Sequence, residues 1–141
     1  MTGSIRLDFE HSHKVTEVNT NLGITYRPTL PVRLSYNEAK VDLDVILDSG
    51  ADISMFQLDV AKILGIPNDL LIANPFELAT GQVNGWLFPI DITICERTYS
   101  CRCAFIDNSK WLNVLGRETI FEKMKFAFRQ GVRQFYFSSS P

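Results

Sequence analysis

Apolar and polar positions alternate through the middle of the chain. Leu30, Val32 and Leu34 alternate with Pro31, Arg33 and Ser35, and a second alternating run follows over residues 40–47. Asn37-Glu38 between the runs can turn, which predicts a hairpin. On its second strand Val41, Leu43, Val45 and Leu47 share one face, while Asp42, Asp44, Ile46 and Asp48 share the other. The hairpin therefore delivers Asp48 at a strand end.

The rest of the chain reads as further short elements. Over residues 57–65, Leu58, Ala61 and Leu64 fall near one helical face, and Gly65-Ile66-Pro67 supplies a stop; so short a helix must lean on a sheet. Residues 75–79 and 86–94 read as strands joined through Thr80-Gly81-Gln82-Val83-Asn84-Gly85, a hairpin able to cover a groove. Another strand is expected over 99–106, one or two helical turns over 118–123, and a terminal hairpin of 125–129 and 132–137 around Gln130-Gly131. Phe126-Ala127-Phe128 and Phe135-Tyr136-Phe137 fit either packing within one protomer or a sheet between two; periodicity does not choose. At the other end, residues 5–9 alternate briefly and residues 10–21 are polar, which reads as a loop or loosely held arm. Many short strands without internal duplication favour a closed or sandwich-like β domain spanning 1–141, with residues 1–25 an N-terminal arm or extension.

Composition narrows the class. Among 141 residues, 45% are hydrophobic and 21% charged, as in an ordinary folded protein. A net charge of -2, with Lys and Arg spread along the chain, gives no reason to expect nucleic acid or an anionic membrane as partner. Cys95, Cys101 and Cys103 cannot all pair within one molecule and lack the pattern of a secreted disulfide scaffold, so a reducing, cytoplasmic setting is expected. Residues 1–8 contain no apolar signal core, and no stretch approaches the roughly 20 apolar residues of a membrane span.

The chemistry centres on Asp48-Ser49-Gly50-Ala51 after the apolar run Val45-Ile46-Leu47, echoed later by Asn113-Val114-Leu115-Gly116-Arg117. Alone, an Asp-Ser-Gly triplet is most often a turn in which Asp or Ser caps the backbone. Its place after a buried-looking strand, with a second apolar strand end able to lie beside it, changes that reading. One carboxylate is half of an acid/base device, and the chain is too short to hold a second copy of the lobe. Other chemistries lack their parts: there is no phosphate-binding Gly-rich loop, dinucleotide fingerprint or Ser-His-Asp set. His11-Ser12-His13, with Glu10 nearby, has no third ligand at diagnostic spacing, and Cys101 and Cys103 read as two small side chains on one strand face. No metal and no cofactor are expected.

Taken in order, these features resemble the retroviral-type (retropepsin-like) aspartic proteases, including cellular and bacterial members, over most of residues 26–137. Asp48-Ser49-Gly50-Ala51-Asp52 looks like the active-site loop, residues 75–94 like the flap, and Leu115-Gly116 with its neighbours like the hydrophobic-hydrophobic-Gly motif before a C-terminal helix. The resemblance implies a mainly β, closed-barrel domain with a flap hairpin and a short C-terminal helix. It also implies a catalytic Asp48 paired with Asp48 of a second copy. Ser49 would link the two loops, Gly50 would bring backbone amide near the carboxylates, and Ala51 would leave room for substrate. Asp52 and Arg117 would form a partly buried bracing pair, with Asp52 also near the substrate main chain. Thr80, Gly81, Gln82, Val83, Asn84 and Gly85 would form the flap, although this tip is less Gly-dense than in the viral enzymes.

Two close carboxylates share a proton, so one can activate water while the other protonates the scissile carbonyl. The expected activity is aspartic endopeptidase action by a homodimer on an extended peptide or protein substrate. Its rivals are a non-catalytic peptide-binding or assembly module of the same fold, and a protease whose flap or N-terminal arm blocks the groove until processing.

Overall fold

The computed structural model describes residues 11–14, 16–20, 23–78, 81–108, 110 and 113–138. Fourteen strands appear in it. The first three are β1 (His11–Lys14), β2 (Thr16–Thr20) and β3 (Gly23–Arg27). The central ones are β4 (Thr29–Tyr36), β5 (Ala39–Leu47), β6 (Ser54–Gln57), β7 (Ile72–Ala73), β8 (Phe76–Leu78) and β9 (Gly81–Val83). They are followed by β10 (Gly85–Ile94), β11 (Arg97–Ile106), β12 (Val114–Leu115), β13 (Lys125–Arg129) and β14 (Gln134–Ser138). A single α-helix among the described residues, α1 (Leu58–Ile63), follows β6.

Six strands close on themselves. The order β11-β6-β12-β5-β4-β10 returns to β11 through the β10–β11 ladder, so the barrel has no free edge at the seam. The alternation over β4 and β5 emerges as expected: Leu30, Val32, Leu34, Val45 and Leu47 are buried, whereas Arg33, Lys40, Asp42 and Asp44 are exposed. Asn37 takes φ 52° in the turn, a conformation that Asn tolerates better than most residues. Arg33 lies opposite Asp42, and its guanidinium makes hydrogen bonds of 2.7 and 3.0 Å to the carboxylate, which pins the β4–β5 register and lowers the Asp42 pKa. The short helix leans on the barrel through Val60 and Ala61, with Leu64 buried just beyond it.

Three parts of the chain depart from expectation. The described residues of the polar stretch 10–21 are strands: β1 pairs with β14, and β2 pairs with β3, whose first residue Gly23 has φ 98°. The partner that makes β1 a strand is more than a hundred residues away, so local polarity could not announce it. The C-terminal helix is reduced to an irregular turn, because Glu118 is extended (φ −59°, ψ 126°) and Thr119 has φ 68° within Arg117–Phe121. The N–H groups at its start reach back to the Ala51 and Asp52 carbonyls. Finally β6 was not legible as a strand, since Ser54 occupies an inward position beside Phe56.

Of the terminal aromatics, Phe135 and Phe137 pack within the protomer, while Phe128 is exposed. β1, β14 and β13 form one sheet, Phe135 and Phe137 are fully buried in the main core, and their rings lie 6.1 Å apart. Phe137→Ala should therefore lower unfolding free energy by about 3–5 kcal/mol in urea titrations, as expected for a core aromatic. A loss confined to self-association, with protomer stability unchanged, would contradict this packing.

Candidate active site

Asp48 follows β5 directly and is held by backbone on two sides. Its N–H donates to the Leu115 carbonyl at 3.0 Å, extending the parallel pairing of β12 with β5 to the strand end. Its carbonyl accepts the Ala51 N–H at 3.1 Å, and its Oδ1 accepts the Gly50 N–H at 2.9 Å. The turn is thus closed by the residue whose carboxylate it presents. A Cβ on Gly50 would sit 3.2 Å from that same Oδ1, so glycine keeps the carboxylate's position open. Asp48 and Ala51 are half-buried, while Ser49, Gly50 and Asp52 are exposed.

The strand end at Leu115 and Gly116 supports this turn from beneath. Leu115 is fully buried, and Gly116 runs against the 51–53 backbone so closely that a Cβ there would lie 2.5 Å from the Ile53 carbonyl oxygen and 2.9 Å from that of Ala51. The Gly116 N–H donates to Ser54 Oγ at 3.0 Å. Beyond it, the Arg117 and Glu118 N–H groups donate to the carbonyls of Ala51 and Asp52 at 2.9 and 3.0 Å. Asn113 ties in a third element: its backbone oxygen accepts the Ile46 N–H at 2.9 Å, and its Oδ1 accepts the Gln57 N–H at 3.0 Å.

Arg117 and Asp52 do form an ion pair. Their side chains are 55% and 87% exposed, so in the single chain the pair lies in solvent rather than partly buried. Arg102 also grips Glu118 through two hydrogen bonds of 3.1 and 2.8 Å, a bidentate contact that the sequence did not point to.

The fully buried Cys103 and nearly buried Cys101 lie under this turn, as two small side chains on one strand face. A hydrogen bond from Cys103 holds the Cys101 thiol below its usual pKa, while burial pushes Cys103 well above. Among the described residues no group of three His, Cys, Asp or Glu side chains can hold a metal ion. The backbone of His11 and His13 is strand, and their side chains lie outside the described residues.

Opposite the loop, β8 and β9 form a hairpin. Gly81, Gln82 and Val83 make its second strand, Asn84 and Gly85 lie at its base, and Thr80 lies outside the described residues. The Asn84 carbonyl accepts the Asp107 N–H at 3.0 Å, and the Gly85 carbonyl accepts the Asn74 N–H at 2.8 Å. A cavity of about 610 Å³ lies between hairpin and loop. Asp48, Gly50, Ala51 and Asp52 line one side, with Ile53, Met55, Phe76 and Val114 forming apolar walls. Arg27, Glu77 and Lys110 add charged side chains to its lining. Of these, Val114 belongs to the strand-end motif and Phe76 and Glu77 to the expected hairpin, whereas Arg27, Ile53, Met55 and Lys110 were not singled out by the sequence.

Such an arrangement, a strand-end carboxylate in a tight turn braced by a second strand end and faced by a hairpin, is that of the retropepsin-like fold. No protein-family model and no curated protein matches the chain. Solved structures do. The EIAV protease, in complex with an inhibitor, is 26% identical, with 71% of this chain and 88% of that one covered and a TM-score of 0.55. A retropepsin-like aspartic protease from Rickettsia conorii is 14% identical, with 89% and 97% covered and a TM-score of 0.63. The chain therefore has a retropepsin-like fold, common to retroviral and bacterial structures.

Two substitutions separate the supports of the loop. Gly116→Ala forces backbone apart and should cost about 3 kcal/mol or prevent folding, read by urea denaturation or soluble yield. Arg117→Ala removes an exposed pair and should cost no more than about 1 kcal/mol in the protomer. A larger loss for Arg117→Ala than for Gly116→Ala would show that the ion pair, and not the close backbone approach, braces the turn.

Proposed function

We propose that the chain is an aspartic endopeptidase that acts as a homodimer, with a water activated between two Asp48 carboxylates, one from each subunit. The observation that carries this reading is the half-buried Asp48 carboxylate, fixed by the Gly50 N–H and facing a cavity wide enough for a peptide side chain. The likeness to the EIAV protease supports hydrolase chemistry of this class. The chain contains one Asp-Ser-Gly triplet, so a second carboxylate must come from a second copy.

Ser49, exposed beside Asp48, is suited to link the two loops, and Ala51 leaves the cavity floor open for an extended substrate backbone. Two adjacent carboxylates cannot both ionise cheaply; sharing one proton is an established property of aspartic-protease dyads. The ionised member takes a proton from water as it attacks, and the protonated member donates to the carbonyl oxygen. No resident cofactor is needed for these steps. Cys95, Cys101 and Cys103, an odd set without the spacing of a secreted disulfide scaffold, fit a reducing, cytoplasmic setting. Among the described residues no helix is long and apolar enough to cross a membrane.

Asp48→Asn should reduce cleavage of a peptide library by roughly 10²–10⁴-fold or more while leaving the unfolding midpoint close to wild type. Wild-type activity should fall on dilution in step with dissociation measured by sedimentation. It should also trace a bell against pH, falling in acid as the ionised member is protonated and in base as the shared proton is lost. Full activity in a monomer, or cleavage by the Asn variant at the wild-type rate, would sink the mechanism. Reproducible peptide binding by a verified dimer that never cleaves would favour the binding-module alternative.

A further inference from the structure

The ladder that roots the hairpin breaks between β7 and β8. Trp86 lies opposite Ala73 and Leu87 opposite Ile72, and the same register resumes at Phe76 opposite Val83, with Asn74-Pro75 facing Asn84-Gly85 in the interval, where only the Asn74 N–H to Gly85 carbonyl bond is kept. Pro75 has no N–H to give a ladder. At the break the Phe76 ring folds back over Gly85, where a Cβ would lie 2.6 Å from both Cδ2 and Cε2 of the ring and 3.1 Å from the Asn74 carbonyl oxygen. The backbone of Gly85 is outside the left-handed region, so its need for glycine is steric and not conformational. The same ring packs against the small cluster of Ile53, Ala104 and Ile106, and lines the Asp48 cavity.

From this geometry we propose that Gly85 is a positioning residue: the bare backbone at the hairpin root is the seat for Phe76, and that seat sets how the hairpin sits over Asp48. The hairpin's own ladder is only three residues long on each strand, and backbone hydrogen bonds tie its root at Asn74–Gly85 and Asn84–Asp107. Phe76 adds a side-chain attachment, because its ring rests on Gly85 and packs against the cluster of Ile53, Ala104 and Ile106. In its catalytic consequence the inference rests on the peptidase reading; in its structural content it does not. A residue that holds a cavity wall without touching the reacting atoms acts on substrate capture, so its loss raises KM more than it lowers kcat.

The test is a double-mutant cycle of Gly85→Ala and Phe76→Ala on the full chain, read by hydrogen exchange of the amides in β8 and β9 and by peptide hydrolysis. In the wild-type background Gly85→Ala should speed exchange in β8 and β9 by about tenfold or more, with β4, β5 and β11 unchanged, and raise KM by a similar factor while kcat changes little. In the Phe76→Ala background, the added Gly85→Ala should change exchange less than about twofold, because the ring it would strike is gone. An equal effect of Gly85→Ala in both backgrounds, or none in either, would overturn the seat. Loosening of the whole barrel by Gly85→Ala would overturn it as well. If the wild type hydrolyses nothing, the peptidase reading fails, and the exchange cycle still decides the role of Gly85.

Discussion

Gly116 passes so close beneath the 51–53 backbone that no side chain fits between them, and this approach brings two strand ends from distant parts of the chain into one support for Asp48. Its consequences spread outward through hydrogen bonds. Leu115 receives the Asp48 N–H, Ser54 receives the Gly116 N–H, and Ala51 and Asp52 receive those of the next two residues. The turn could not hold its carboxylate by local bonds alone, since Asp48 and Gly50 make only a short Asx-type contact of the sort many surface turns possess. Backbone packed on backbone has no side-chain rotamers through which to relax, so it fixes position sharply, at the cost of the backbone freedom that glycine gives up on ordering.

The irregular turn after Gly116 stays in contact with the loop. The N–H groups of Arg117 and Glu118, which would lack intrahelical partners in a helix begun here, donate to the loop carbonyls. Glu118 is extended and Thr119 has a positive φ in the same stretch. The Arg102–Glu118 contact then anchors the distorted stretch to β11, while Cys101 beneath it directs its thiol toward the Glu118 carbonyl at 3.7 Å.

What the sequence disclosed was local. Period-two alternation over residues 30–47 was enough to foresee β4, β5 and the delivery of Asp48, because each position declares its face through its immediate neighbours. The Asp-Ser-Gly and Leu-Gly motifs were read differently, through their order along the chain and its resemblance to the retropepsin-like pattern, since the triplet alone is an ordinary turn. Ser54 was not, since a buried serine looks like a loop residue until the Gly116 N–H that it accepts is brought from 62 residues away. β1 was hidden similarly, being polar and paired to β14. Asp52 and Arg117 were correctly matched as partners, but their exposure depends on how much chain surrounds them, which a motif does not encode.

The cavity thus lies between two walls that are attached by the same device. Below, Gly116 admits the 51–53 backbone; above, Gly85 admits the Phe76 ring. In both places a missing side chain lets a neighbour approach to a distance that even an alanine would forbid. The side chains that line the space between, Ile53, Met55, Phe76 and Val114, come from four different elements and belong largely to a small cluster apart from the main core. Changes of size among them alter the cavity while the barrel core around Leu30, Leu34, Phe56 and Phe105 keeps its packing. The two functions, holding the carboxylate and shaping its surroundings, meet in few residues: Ala51 and Ile53 join the support below to the cavity lining through backbone and side chain, and Phe76 does so above through its ring.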